Sequence, residues 1–201
     1  MRRNVELVRT VREAVGPDVL LAADAYMAWD VPYTLAMAER LAEFDLAWLE
    51  EPLPPHDVAG YARLRREIPI RLAAGEHVYT RYGFRQLIEQ GAIDYLQPDA
   101  NRVGGITEMR KICALAQAYD LQVLPHSNEA HNLHVIASHV NCPLAEYFPP
   151  VEPDTGNELF WKLFEGEPTA KDGFLDVPDR PGLGIALRRD VLEALAFHPQ
   201  A

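Results

Sequence analysis

The sequence predicts an α/β fold, a parallel (β/α) barrel of the TIM type that is incomplete, with about six of the eight usual βα units. The first observation is that short apolar runs recur at intervals of about 25 residues, each ending in an acidic residue or a histidine. The second is that helix-period segments separate these runs, as expected where crossover helices join parallel strands. The residues that end the six runs are Asp24, Glu50, Glu76, Asp99, His126 and Glu146.

The individual elements follow from the local patterns in chain order. Val5, Val8, Val11 and Val15 lie at helical spacing, and Gly16 and Pro17 end this first amphipathic helix. Strands are predicted over 19–23, 47–49, 71–74, 95–97, 122–124 and 145–147. Helices are predicted between them over 34–43, 58–67, 81–90, 106–119 and 133–140. Strand and helix alternation of this kind gives parallel neighbours joined by right-handed crossovers.

The predicted barrel covers residues 1–148, and residues 149–201 form a tail rich in proline and glycine with a short helix near 190–196. A closed barrel of this type has eight strands. Six strands leave two unpaired edges, which favour association. We therefore expect a homo-oligomer in which another chain covers the open edges of the barrel.

Composition excludes several classes of partner. The chain of 201 residues has a formal net charge of −11, which disfavours nucleic acid and anionic membranes, because both require clustered cations. No apolar run reaches the ~18 residues of a membrane span, and the basic N-terminus lacks the apolar core of a secretion signal. Cys113 and Cys142 occupy apolar settings typical of buried thiols in a reducing compartment. We expect a cytoplasmic protein.

Three successive strand ends carry the carboxylates of Asp24, Glu50 and Glu76. Carboxyl ends of neighbouring parallel strands converge at one face of a barrel, so the three side chains are expected to meet. Hard oxygen ligands with room for water and substrate suit octahedral Mg²⁺. The alternative is that each acid only caps the helix that follows it.

The next strand ends carry Asp99 and His126, which we expect to form a hydrogen-bonded pair that acts as a general base near neutral pH. Glu146, at the last predicted strand end, would hydrogen-bond a developing enediolate if protonated, or remain an ordinary carboxylate. His77 directly follows Glu76 and is expected either to bind substrate or to face the adjacent helix. Glu51 is expected to point away from the metal and orient its neighbours, because side chains alternate along a strand.

Four longer motifs carry a resemblance to a known family: WLEEP at 48–52, AAGEH at 73–77, LQPDANRVGGITE at 96–108 and DRPGLG at 179–184. With these motifs the whole chain resembles the enolase superfamily, mandelate racemase subgroup. The resemblance implies Mg²⁺-assisted removal of the proton α to a carboxylate through an enediolate. It also implies three roles, with Asp24, Glu50 and Glu76 as metal ligands, Asp99 and His126 as the dyad, and Glu146 as the hydrogen-bond donor to the enediolate.

Within that subgroup, the segments 75–87, 124–126 and 145–148 are similar to acid-sugar dehydratases such as L-rhamnonate dehydratase. The substrate implied is a carboxylate sugar acid, and the product a 2-keto-3-deoxy acid. The segment SNEAHNLHVIAS at 127–138 indicates no particular sugar.

The chain also departs from the family pattern. Members carry an N-terminal α+β capping domain and two barrel strands ahead of the part matched here, so we expect the chain to correspond to the C-terminal part of a longer enzyme. The three lysines lie in predicted helix or tail segments, which disfavours a racemase with a second, lysine base; they are Lys111, Lys162 and Lys171. The open alternatives are a racemase, epimerase or cycloisomerase of the same superfamily, or a folded remnant that binds metal without turnover.

Overall fold

A computed structural model describes residues 1–127, 130–149 and 158–196 and contains one parallel sheet whose five strands follow one another in sequence order. The strands are β1 (Leu21–Asp24), β2 (Leu46–Glu50), β3 (Leu72–Ala74), β4 (Tyr95–Leu96) and β5 (Gln122–Val123). The helices around them are α1 (Arg2–Val15), α2 (Val31–Leu41), α3 (Val58–Glu67), α4 (Thr80–Glu89), α5 (Ala100–Val103), α6 (Ile106–Gln117) and α7 (Ala130–Ser138). Among the residues covered, no helix combines the length and apolar character needed to cross a membrane.

The register of the sheet places the predicted strand ends side by side. Asp24 at the end of β1 pairs with Glu50 at the end of β2, and Glu50 pairs in turn with Ala73 on β3. Leu96 on β4 pairs with Val123 on β5. Because all the strands are parallel, the residues that follow them emerge at one edge of the sheet.

The core forms where strand side chains pack against the surrounding helices. Leu49, Leu72 and Leu96 come from three consecutive strands and are fully buried in one apolar cluster. Phe84 of α4 and Met109 of α6 are fully buried in the same cluster. Each such side chain stabilises the fold by roughly 1.5–3 kcal/mol relative to an exposed position. The helices thereby fix the strands, and the strands fix the polar residues at their ends.

The sixth predicted strand, 145–147, is wrong, because residues 142–149 form neither helix nor strand. Pro143 and Pro149 flank this segment, and neither can donate a backbone hydrogen bond to a ladder. The chain nevertheless returns to the sheet, since the amide of Val123 donates to the carbonyl of Asn141 at 2.9 Å. Residue 146 therefore still reaches the strand-end face.

The tail contains α8 (Glu158–Leu163), an antiparallel pair of strands β6 (Phe164–Glu165) and β7 (Ala186–Leu187), and α9 (Arg189–Ala194). The short helix predicted near 190–196 corresponds to α9. A carbonyl of the tail, that of Leu183, lies 3.0 Å from Nε2 of His134 on α7. The boundary at residue 148 stays a prediction.

Both cysteines are free and buried, and their sulfur atoms lie 3.8 Å apart. Cys113 belongs to α6, and Cys142 follows the turn after α7. Their contact joins this turn to the core.

Gly75, directly before Glu76, has no room for a side chain. Its φ is +148°, and a Cβ there would lie 2.8 Å from Phe84 and 2.9 Å from the backbone of Gln97. We expect Gly75→Ala to lower the free energy of unfolding by about 1–3 kcal/mol, the usual cost of overpacking a core. Urea unfolding followed by circular dichroism measures the change.

The matched control is Gly16→Ala, because Gly16 also has a positive φ, +78°, but has no atom within 4 Å of an added Cβ. This variant measures backbone strain without the steric clash. An equal loss in both variants would contradict the proposed clash at Gly75.

Candidate functional site

The six predicted strand-end residues meet around one cavity. Its volume is about 540 Å³, and it opens at the edge of the sheet where the parallel strands end. The strand-end residues that line it are Asp24, Glu50, Glu76, Asp99, His126 and Glu146. The structure thus brings together all the residues that the spacing predicted to converge.

At two of the three predicted metal ligands, burial disfavours the ionised carboxylate. Burial raises the pKa of Asp24, and Glu76 adds repulsion, although the amide of Tyr26 donates to Asp24 Oδ1 at 2.8 Å. Burial also raises the pKa of Glu50, with a smaller contribution from the charge of Asp24. The indole of Trp48 donates to Glu50 Oε2 at 3.1 Å. A cation between these carboxylates would relieve the repulsion between them.

Glu76, the third predicted ligand, is held by two cationic side chains. Its Oε2 lies 2.8 Å from His126 Nε2, and its Oε1 lies 3.0 Å from Arg102 Nη1. Burial alone would raise the pKa of Glu76, but the hydrogen bonds and charges of His126 and Arg102 outweigh it and lower the pKa to about 2. Glu76 is therefore ionised at neutral pH.

His126 is hydrogen-bonded at both ring nitrogens. Nδ1 lies 2.8 Å from Asp99 Oδ2, the pairing expected from the sequence, and Nε2 contacts Glu76. Burial disfavours the imidazolium, yet the bonds to Asp99 and Glu76 raise the pKa of His126 to about 10. In this arrangement the ring is protonated near neutral pH and is not yet a base.

Glu146 reaches the cavity from irregular backbone rather than from a strand. Its Oε2 accepts a hydrogen bond of 2.6 Å from the amide of Ser127. Burial raises the pKa of Glu146, because the backbone bond and the nearby His126 compensate only in part. A raised pKa increases the fraction of Glu146 that is protonated and able to donate.

His77 and Glu51 form a second pair beside the cavity. His77 Nδ1 lies 2.8 Å from Glu51 Oε2 and 3.3 Å from Glu76 Oε1. Glu51 is 3% exposed, and its φ of +34° is unusual for a residue with a side chain. Glu51 therefore contacts His77 and does not line the cavity, and its role in orienting neighbouring residues stays a prediction.

Arg102 is a site residue that the sequence did not predict. It lies on α5, three residues after Asp99, and its Nε is 3.5 Å from Asp99 Oδ2. Arg102 thus contacts Glu76, an expected metal ligand, and Asp99, the hydrogen-bond partner of the expected base His126. The helical i,i+3 spacing to Asp99 was the available signal.

Two sets of residues could hold a metal. Among the residues that the structure describes, ligand atoms of Glu51, Glu76 and His77 all lie within 4.8 Å of one another. Asp24, Glu50 and Glu76 instead supply only carboxylate oxygens, which is the donor set that Mg²⁺ prefers. Burial raises the pKa values of Asp24 and Glu50, so their ionised forms lack a compensating charge that a cation would supply. The all-carboxylate set therefore fits Mg²⁺, on condition that Glu76 leaves His126 and Arg102.

Comparison with known proteins agrees with this architecture. The family described as Enolase C-terminal domain-like matches residues 1–191. The chain belongs to this family. Its barrel domain is of the TIM type, so the five-stranded parallel sheet is an incomplete barrel, as the sequence predicted, and the enolase superfamily resemblance is confirmed.

Individual relatives point to acid-sugar enzymes and to magnesium. The chain is 42% identical over 195 residues to an L-rhamnonate dehydratase from Saccharopolyspora erythraea, covering 95% of this chain and 50% of the relative. A racemase from Streptomyces coelicolor with bound magnesium superposes with a TM-score of 0.89 at 33% identity, covering 98% of this chain and 52% of the other. L-talarate dehydratase from Polaromonas sp., complexed with Mg and L-glucarate, superposes with a TM-score of 0.85 at 35% identity. The match covers 96% of this chain and 51% of the other. The chain spans about half the length of the curated relatives it matches.

Proposed function

We propose that this chain carries the metal-binding and proton-transfer residues of a Mg²⁺-dependent acid-sugar dehydratase. The reaction removes the proton α to a carboxylate, expels the β-hydroxyl and yields a 2-keto-3-deoxy acid. The observation that carries the proposal is the hydrogen-bonded series Asp99–His126–Glu76, set in a cavity lined by further carboxylates. The similarity to a relative named L-rhamnonate dehydratase supports the substrate class.

His126 is the base in this proposal. The bond from Nδ1 to Asp99 leaves Nε2 as the nitrogen that can face a substrate. Nε2 is engaged by Glu76, so it becomes available only when the Glu76 carboxylate turns away. Loss of that negative contact also lowers the pKa of His126, which favours the neutral imidazole that can act as a general base.

Glu76 turns away if it joins Asp24 and Glu50 in binding one Mg²⁺ per site. When bound, the ion supplies positive charge that stabilises the negative charge developing on the substrate carboxylate, usually a large catalytic contribution. The side-chain movement of Glu76 that would complete the ligand set would therefore also free His126.

Glu146 and His126 complete the proton transfers. Glu146, whose pKa is raised by burial, donates a hydrogen bond to the oxygen on which charge develops. The bond from the Ser127 amide fixes one carboxyl oxygen of Glu146 and leaves the other to face the substrate. The departing β-hydroxyl takes its proton from the His126 imidazolium or from another acid.

The substrate and the partners of the protein are part of the same proposal. The substrate is a small acid sugar held near His77 and Glu146, and neither nucleic acid nor a membrane takes part. We further propose that the protein is cytoplasmic and that a second copy of the chain covers the open edges of the barrel.

A screen of aldonic and aldaric acids with Mg²⁺, with detection of a 2-keto acid, tests the proposal. We expect at least one acid to be turned over by the chain, and His126→Asn to abolish that turnover under the same conditions. The matched control is His139→Asn, because the His139 ring lies just after α7 and its hydrogen bonds among the described residues run to Ser138 and Val135.

The similarity to a racemase favours a second candidate, a racemase or epimerase on the same scaffold. Running the reaction in D₂O separates the two, because exchange without elimination indicates a racemase or epimerase. Mg²⁺ binding without turnover of any acid would contradict both and favour a folded, inactive metal-binding remnant.

A further inference from the structure

Asn132 is a buried polar residue outside the set discussed so far. It lies on α7, the helix that follows the His126 segment, and only 1% of its surface is exposed. A buried amide must be hydrogen-bonded, or it costs roughly 1–3 kcal/mol. The partners of Asn132 therefore show what this side chain does.

Both ends of the Asn132 amide bind backbone groups beside the Asp99–His126 pair. Nδ2 donates to the carbonyl of His126, and Oδ1 accepts a 3.4 Å hydrogen bond from the amide of Ala100. The amide of His126 donates to the carbonyl of Pro98 at 3.1 Å. Pro98 is thus hydrogen-bonded to His126 directly, and Ala100 is joined to His126 through Asn132. Asp99 lies between Pro98 and Ala100 in the chain.

The orientation of the amide is fixed by its partners. A backbone carbonyl only accepts, and a backbone N–H only donates, so Nδ2 must face His126 and Oδ1 must face Ala100. A carboxylate of the same shape would keep the bond to Ala100 and place an oxygen against the carbonyl of His126. Asparagine therefore makes both hydrogen bonds, to His126 and to Ala100, whereas aspartate would make only the one to Ala100.

The backbone beside His126 requires such support. Ser127 has a φ of +79°, a conformation that costs a residue with a side chain energy and persists only when its surroundings hold it. The amide of Ser127 is bound by Glu146 on one side, and Asn132 holds the preceding carbonyl on the other.

We propose that Asn132 is a positioning residue, which holds the loops of Asp99 and His126 at the separation that lets their side chains hydrogen-bond. Its consequence for proton transfer rests on the proposed function, but the geometric assignment does not. Proton abstraction depends on the direction of Nε2, which is set by the bond of Nδ1 to Asp99.

Proton NMR of the metal-free chain tests the assignment without any substrate. The Nδ1 proton shared with Asp99 should give a low-field resonance, identified as one that disappears in His126→Asn and persists in Glu76→Gln, because Glu76 bonds the other ring nitrogen. We expect Asn132→Asp to remove this resonance through exchange with water, while circular dichroism shows that the sheet is retained. Because the readout is independent of turnover, absence of dehydratase activity would leave this result intact.

The matched control is Asn141→Asp. Asn141 also ties backbone segments together, through Nδ2 to the carbonyls of Cys113 and Leu121 at 3.0 and 3.3 Å, but its partners lie away from the dyad. Asn141→Asp should lower the free energy of unfolding and keep the resonance of the proton shared by His126 and Asp99.

A resonance that persists in Asn132→Asp overturns the proposal, as does its loss in both variants. If Asn132→Asp does not fold, Asn132→Ser provides the same comparison, with loss in a folded chain expected. Failure of both position-132 variants to fold would show a general structural role and would also overturn the proposal.

Discussion

Glu76→Gln is expected to lower Mg²⁺ affinity at least about 100-fold while the five-stranded sheet stays intact. Substitution of an outer-shell partner typically costs 10–100-fold in metal affinity, and loss of a charged ligand should cost no less. Glutamine keeps the shape of Glu76 but not its charge, which the low pKa of about 2 shows to be fully present at neutral pH. Isothermal titration with Mg²⁺ measures the affinity directly, and circular dichroism monitors the fold.

The same variant should lose the stabilisation that Mg²⁺ gives. A ligand at 100 times its dissociation constant stabilises the folded state by about 2.7 kcal/mol, so the melting temperature of the native chain should rise with added Mg²⁺. Glu76→Gln should show almost no rise at the same concentration. Without metal the variant also loses charged hydrogen bonds to His126 and Arg102, at a cost of roughly 1.5–3 kcal/mol.

Glu51→Gln is the control that separates the two possible ligand sets. Glu51 is as buried as Glu76 and lies next in sequence to Glu50, but it belongs only to the set with His77. Unchanged Mg²⁺ affinity in Glu51→Gln, with a loss in Asp24→Asn, supports the carboxylate set. The reverse pattern would show that Glu51, Glu76 and His77 hold the ion instead.

The periodicity of the sequence was sufficient to predict that the strand-end residues share one cavity. Asp24, Glu50 and Glu76 each follow a short apolar run, and parallel strands always bring such positions to one edge of a sheet. This is a property of backbone topology, so no side-chain detail was needed. The pairing of Asp99 with His126 was predictable for the same reason, because β4 and β5 are neighbours.

The sequence predicted a last strand at 145–147 that does not form, and it did not predict the contacts of Glu76. Whether residues 145–147 form a strand depends on a ladder partner, and local propensity says nothing about that partner. The contact of Glu76 with His126 and Arg102 depends on how charges balance within the finished cavity. Residues far apart in the chain decide that balance, so a local pattern could not reveal it.

His126→Asn is expected to abolish exchange of the substrate α-proton with solvent. A positioned general base contributes roughly 10²–10⁴-fold, so the residual exchange rate should fall at least about 100-fold. Asparagine still donates a hydrogen bond in the direction of Asp99 but has no basic nitrogen. The measurement is deuterium incorporation in D₂O, followed by NMR with an acid that the native chain turns over.

Mg²⁺ affinity separates a role in proton transfer from a role in building the metal site. His126 Nε2 contacts Glu76 Oε2 and so competes with a metal ion for that carboxylate. His126→Asn removes this competition, so the Mg²⁺ affinity should be unchanged or higher. Exchange that survives in His126→Asn would mean that the base lies elsewhere in the cavity. Loss of Mg²⁺ affinity together with loss of exchange would instead show that the imidazole supports the metal site, because a residue that only moves protons has no reason to alter it.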